Sequence, residues 1–121
     1  MKYLLLVHHD EAAFRMIPDR ERTEMLNESV QLCHKLDERG QYVHASPLQA
    51  AVTGVLVRVR NGKELVTDGP FAETKEQLAG YFLVEARDLN EAVRIATQVP
   101  GARIGTVEIR SIRELEGLPG E

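Results

Sequence analysis

The sequence feature that most constrains the fold is the apolar run of residues 2–7, which reads Lys-Tyr-Leu-Leu-Leu-Val. A run of this length is typical of a central β strand whose two faces are both covered. It is too short for a membrane span or for the hydrophobic region of a signal peptide. Because His8, His9 and Asp10 follow at once, three side chains capable of acid–base chemistry stand at the carboxyl end of this strand.

Two helices are predicted further along the chain. Residues 18–39 suit a long helix, because Pro18 is tolerated in the first turn, apolar side chains recur on one face, and Gly40 is a typical end. A capping box at residues 88–91 predicts the start of a second helix, which we expect Pro100 to stop.

The strands complete a recognisable order. Asn61-Gly62 is a typical two-residue hairpin turn, and it joins predicted strands at residues 53–60 and 63–67. Further strands are predicted at residues 41–47, 81–86 and 106–112. The order predicts an α+β fold with a ferredoxin-like βαββαβ plan and an extra hairpin strand. We expect a single domain over residues 1–113 and a mobile tail over residues 114–121.

The segment between the hairpin and the strand at residues 81–86 is the most informative stretch. Asp68-Gly69-Pro70 predicts a turn, because an Asp side chain can bond the backbone two residues on, Gly relaxes the limit on φ, and Pro fixes its own φ. Phe71 is expected to be carried inward after this turn. Residues 74–77 read Thr-Lys-Glu-Gln, a capping box that predicts a short helical turn ending at Gly80.

This segment resembles the signature of the DGPF proteins, a branch of the YCII-related family, through Asp68-Gly69-Pro70-Phe71 and the residues that follow up to Tyr81. The resemblance implies a dimeric α/β barrel, in which two sheets pack face to face. In the wider family a His on the first helix and a downstream Asp form a proposed catalytic dyad. Aligned on Gly40, Ser29 stands near that His position and Glu38 near the Asp, so the resemblance implies that the dyad is absent here.

Homodimerisation is also expected from the residues themselves. Two helices can cover only one face of the sheet, and an apolar face left in water is a typical interface. We assign to that helix-free face the alternating apolar side chains Val55, Val57, Val59, Val107 and Ile109.

The composition excludes several classes of partner. The net charge is −4, Lys and Arg form no run, and aromatic residues make up only 5% of the chain, so we expect no nucleic-acid partner. Cys33 is the only cysteine, which favours a cytoplasmic protein with Cys33 as a small buried hydrophobe. No metal-ligand spacing or cofactor fingerprint is present, so we expect neither a metal nor a cofactor. Because the apolar run at residues 2–7 is too short to span a membrane, we expect no membrane partner.

The candidate site is built from polar groups expected to meet near residues 68–81, here called the DGPF segment. A His at the end of the first strand, beside one or two carboxylates, could act as a general base. The alternative is that Asp68 closes a turn, Glu73 caps locally and the histidines are a solvated strand end. The catalytic candidates are Asp68, His8 and His9, and the ligand-binding candidates are Glu73, Phe71, Tyr81, His44 and Ser29.

Two functions from different classes follow. The first is an enzyme that uses acid–base chemistry on a small organic molecule in a pocket near the DGPF segment. The second is a non-catalytic ligand-binding or regulatory module, which the resemblance suggests because DGPF proteins tend to be encoded beside alternative sigma factors.

Overall fold

The computed structural model describes residues 1–120, which form a four-stranded sheet, a separate hairpin and four helices. In chain order the elements are β1 (Lys2–His9), α1 (Glu11–Arg15), α2 (Asp19–Glu38), β2 (Tyr42–Pro47), a turn of 3-10 helix (Ala51–Thr53), β3 (Val55–Arg60), β4 (Lys63–Asp68), β5 (Gln77–Glu85), α3 (Leu89–Ala96), α4 (Gly101–Ile104) and β6 (Thr106–Ser111).

The main sheet has the order β2-β5-β1-β6, with every neighbouring pair antiparallel. If the β3–β4 hairpin is set aside, this is the strand order of a ferredoxin-like βαββαβ domain. The structure therefore confirms the α+β, ferredoxin-like prediction and the central position of β1.

The core lies between one face of this sheet and the helices. Tyr3, Leu5 and Val7 of β1 are buried there, whereas Leu4 and Leu6, which point to the opposite face, are only half-buried. Each fully buried side chain of this size stabilises the fold by about 1.5–3 kcal/mol. Helices α2 and α3 contribute to the same core through Leu32, Leu36, Ala92, Ile95 and Ala96, and β5 contributes Phe82 and Val84.

The hairpin differs from the sequence prediction in its position. Its turn is as predicted, with φ of 52° at Asn61 and 75° at Gly62, but β3 and β4 pair only with each other. Val57 pairs with Val66, and both are 60% or more exposed in the single chain. The assignment of Val55, Val57, Val59, Val107 and Ile109 to one helix-free face was therefore wrong. The three valines belong to the separate hairpin, and Val107 and Ile109 of β6 pack against the core on the helix side.

The helical segments differ from the predictions in three places. Residues 11–15, where no helix was predicted, form α1, because the Asp10 carboxylate accepts a hydrogen bond from Ala13 N at 3.1 Å. The expected turn after Thr74 is absent and β5 already begins at Gln77, because the Thr74 hydroxyl donates to the carbonyl of Glu76 instead of capping. The second predicted helix does end before Pro100, at Ala96, but Pro100 then begins the short helix α4, which was not predicted.

Strand β2 has a register irregularity that changes which side chains face the core. Tyr42 pairs with Val84 and packs against the core, but His44 pairs with Leu83, so the alternation slips by one residue. A bulge of this kind places two side chains that are two residues apart on opposite faces of the sheet. Tyr42 and His44 are therefore on opposite faces of the sheet.

After β6 the described chain continues to residue 120 with no further helix or strand. The last residue of the predicted tail, Glu121, lies outside the described residues. Over residues 1–120, none of the helices combines the length and apolar character that crossing a membrane requires.

Candidate functional site

The end of β1 directs its two histidines to opposite sides of the sheet. Val7 is buried on the helix side, so the alternation of a strand sends His8 to the helix-free side and His9 back to the helix side. Each histidine lines a different cavity. Nothing in the sequence favoured one of the two as the catalytic candidate, whereas the structure places them at different cavities.

The first cavity, here called the DGPF-loop cavity, has a volume of about 530 Å³. It lies between the segment after β2 and the DGPF segment, and His8 forms part of its wall. From the DGPF segment, Gly69, Pro70, Phe71, Glu76 and Gln77 contribute to the lining.

Gly69 allows the two walls of this cavity to approach each other. Its N–H donates to the carbonyl of Gly54 at 2.6 Å, and a Cβ at Gly69 would lie 2.9 Å from that same oxygen. A side chain at this position would push the backbone segments apart. The glycine of the DGPF segment is thus required by a close backbone approach.

His8 is paired with a carboxylate that the sequence reasoning missed. Its Nε2 lies 3.0 Å from Oε1 of Glu108 on β6, and both side chains are partly exposed. His8 stands opposite Thr106 in the β1–β6 ladder, so Glu108 is its diagonal neighbour on the same face. If Nε2–H donates to Glu108, the neutral ring keeps its lone pair on Nδ1 and can accept a proton there.

A second contact joins the DGPF segment to β6 beside this pair. The Thr106 hydroxyl donates to Oε1 of Glu76 at 2.9 Å, and Glu76 also lines the cavity. A histidine and a carboxylate therefore face one cavity. Only the strand register reveals this arrangement, because Glu108 and Glu76 lie in separate parts of the sequence.

The named residues of the DGPF segment occupy less enclosed positions than expected. Asp68 ends β4 in an exposed position, and within residues 1–120 its carboxylate makes no hydrogen bond and lines neither cavity. Glu73 is likewise exposed and outside both walls. Phe71 is 80% exposed, so it borders the DGPF-loop cavity without being carried inward.

The second cavity, here called the helix–sheet cavity, has a volume of about 230 Å³ and lies beneath the N-terminal half of α2. It exists because α2 is buried against the sheet only through Leu32 and Leu36, near its C-terminal end. Most of its lining is apolar. The residues with polar side chains in its lining are His9, Arg22, Ser29, Cys33, Ser46 and Tyr81.

His9 stacks on Phe14 of α1, with ring centroids 4.4 Å apart. Burial lowers the pKa of His9 below the ordinary 6.5, and the nearby carboxylates of Glu11, Asp10 and Glu76 oppose this shift without reversing it. Burial also raises the pKa of the Cys33 thiol. Both groups are therefore held in their neutral forms near pH 7.

The remaining ligand-binding candidates fall in two places. Ser29 lines the helix–sheet cavity, as does Tyr81. The Tyr81 hydroxyl and His44 Nδ1 are 2.7 Å apart and link β5 to β2, but His44 itself is exposed. In the part of the chain that the structure describes, no group of three or more His, Cys, Asp or Glu side chains is arranged to hold a metal ion.

The family assignment follows from comparison with known proteins. The model of the YCII-related domain family matches residues 1–116, and the chain belongs to this family. It is also similar to an uncharacterized protein of Rhizobium meliloti (strain 1021), with 30% identity over 123 residues that cover 100% of this chain and 98% of that protein. This confirms the family that the DGPF segment indicated.

Proposed function

We propose that the protein binds a small organic molecule in the DGPF-loop cavity and that His8, oriented by Glu108, transfers protons to and from it. The observation that carries the proposal is the 3.0 Å contact between His8 Nε2 and Glu108 Oε1 at the wall of a cavity of about 530 Å³. That volume is within the usual range for small-molecule sites, about 300–1,000 Å³.

The roles differ between the two residues. Glu108 accepts from Nε2–H and so holds the ring orientation and tautomer, while Nδ1 acts as the base and, once protonated, as the acid. Glu76, Gln77 and the backbone around Gly69 supply hydrogen-bonding groups that would orient the ligand. Asp68 and Glu73 are given no role in the reaction, because they line neither cavity.

The test begins with a thermal-shift screen of small metabolites on the wild-type protein. A ligand at about a hundred times its dissociation constant should add about 2.7 kcal/mol to the stability. Each hit is then incubated with the protein, and its conversion is followed by NMR.

Four proteins are compared: wild type, His8→Gln, Glu108→Gln and, as the matched control, Asp68→Asn, which alters an exposed carboxylate beside the cavity. We expect His8→Gln to lower the rate by roughly 10²–10⁴-fold, a smaller loss for Glu108→Gln, and no loss for the control. An unchanged rate in His8→Gln contradicts the proposal. Binding without conversion in the wild type supports the non-catalytic ligand-binding module instead.

We further propose that the protein is a homodimer. The support is the β3–β4 hairpin, which pairs with no other strand among residues 1–120 and exposes valines along its length. An isolated two-stranded hairpin is only marginally stable in water. A second copy that covers it and the helix-free face of the sheet would remove this exposure, and light scattering would detect the doubled mass.

A further inference from the structure

We propose that the helix–sheet cavity is a second binding site, independent of the DGPF-loop cavity, and that it takes a small monocarboxylic acid with an apolar body. The argument starts from the guanidinium of Arg22. The Nε atom of Arg22 is buried and has no hydrogen-bond partner, and it is the one such side-chain atom within residues 1–120. A buried donor left without a partner is unfavourable, so a ligand that accepts from it gains affinity.

The surroundings of Arg22 leave part of its donor capacity free. Its Nη2 contacts the carboxylate of Asp19, and its Cζ lies 5.9 Å from the centroid of the Phe14 ring. Asp19 is highly exposed, so this pair is weak and screened by water. The N–H parallel to Nε–H belongs to Nη2, and this pair of donors matches the two oxygens of a carboxylate when a ligand takes the place of the exposed Asp19 side chain.

The rest of the cavity defines the body of the ligand. Beyond Arg22 the wall is formed mainly by apolar side chains, including Leu26, Val30, Phe82 and Ile104. Ser29 faces the same space, and its hydroxyl forms no hydrogen bond to the described part of the chain. The volume of about 230 Å³ is small for a ligand site, which favours a compact ligand with few polar groups.

A second charged group on the ligand would have no partner. Burial favours the neutral forms of His9 and Cys33, so among residues 1–120 Arg22 is the only ionised side chain in the lining. A dicarboxylate or a zwitterion would bury an unpaired charge, which is strongly unfavourable. A ligand with a single carboxylate bound at Arg22 and an apolar body matches both the charged group and the apolar part of the lining.

Benzoate and benzamide are suitable probes, because they have nearly the same shape and differ in charge. Binding to the full chain is measured by isothermal titration calorimetry. We expect benzoate to bind at least about tenfold more tightly than benzamide, a difference of about 1.4 kcal/mol. Equal affinities, or no binding of benzoate to folded protein, would overturn the proposal.

Variants locate the site. Arg22→Gln should weaken benzoate binding by at least about tenfold and leave benzamide unchanged, whereas Arg20→Gln, which changes an exposed arginine in the same turn of α2, should change neither. Ser29→Leu should fill the cavity and abolish both. Arg22→Lys, which keeps the charge without the fork, should retain part of the benzoate affinity. Circular dichroism and a melting curve establish that each variant is folded. Benzoate binding that survives Ser29→Leu or Arg22→Gln shows that the anion binds elsewhere and contradicts the proposal.

Discussion

A step of one residue along β1 separates the environments of His8 and His9. His8 is paired with Glu108 on the helix-free side, while His9 is stacked on Phe14 beneath α2. The separation is a direct consequence of the two-residue period of a strand. Two adjacent residues of the same type therefore have different partners.

The first prediction concerns the pH dependence of stability that His9 contributes. Its pKa in the folded protein lies below 6.5, so the unfolded chain binds a proton more readily. The contribution is fully present above pH 6.5 and is lost as the pH falls from there through the lower folded pKa. We expect the melting temperature of wild type to fall more between about pH 7.5 and about pH 5.5 than that of His9→Gln.

The control for this experiment is His34→Gln, since His34 is exposed on α2. It should keep the pH dependence of wild type. His9→Gln should also melt at a lower temperature at every pH, because the stacking on Phe14 is lost, a contribution of about 0.5–1.5 kcal/mol. Identical pH dependence in wild type and His9→Gln would show that His9 is not held neutral by burial.

Helix α2 is attached to the domain unevenly at the scale of elements. Its C-terminal half is buried through Leu32 and Leu36, but Leu26 and Val30 in the N-terminal half are 54% and 48% exposed. A salt bridge from Glu28 to Arg103 of α4 joins the two helices that flank the helix–sheet cavity, with contacts of 2.7 and 2.9 Å. The hydrogen bond from Arg103 lowers the pKa of Glu28, as expected for a bidentate pair.

We expect Glu28→Gln to lower the melting temperature by a few degrees at most, because the pair is solvent-exposed. Glu24→Gln is the matched control, since Glu24 pairs with Arg20 inside α2 and joins no second element. The Glu28 variant should lose more stability than the control at low salt, and the difference should shrink at high salt. Equal losses in the two variants would mean that the bridge between α2 and α4 adds nothing to stability.

The molecule as a whole has more exposed apolar surface than a compact single chain requires. Val55, Val57, Val59 and Val66 of the hairpin are each 58% or more exposed. Exposed apolar side chains that lie together mark an interaction surface. The proposed homodimer assigns that surface to a second copy of the chain.

Light scattering after gel filtration should give about twice the 13.6 kDa mass of one chain. Val57→Arg is expected to shift the protein to monomers without unfolding it, because Val57 is 66% exposed in the single chain. Val93→Arg, on the outer side of α3, should leave the dimer intact. A wild-type monomer at micromolar concentration would exclude the proposed dimer, and a Val57→Arg dimer would exclude the hairpin from its interface.

Local patterns in the sequence determined most of the elements and their order. These patterns act within a few residues and can be recognised without a structure. They are the apolar run of β1, the proline and glycine at the two ends of α2, the Asn61-Gly62 turn and the Asp88 cap. The family could also be identified from the residues of the DGPF segment. Helix α1 was not predicted and the predicted turn after Thr74 is absent, because hydrogen bonds between the side chains of Asp10 and Thr74 and the backbone decided these two segments.

The tertiary structure alone decided the partners within the candidate site. Glu108 reaches His8 across 100 positions of sequence, through a strand register that no local pattern encodes. Similarly, only packing shows that the hairpin stands apart from the main sheet and that α2 leaves a cavity over His9 and Arg22. The physical reason is that local signals act through short-range backbone geometry, whereas register and packing depend on which distant side chains fit together in space.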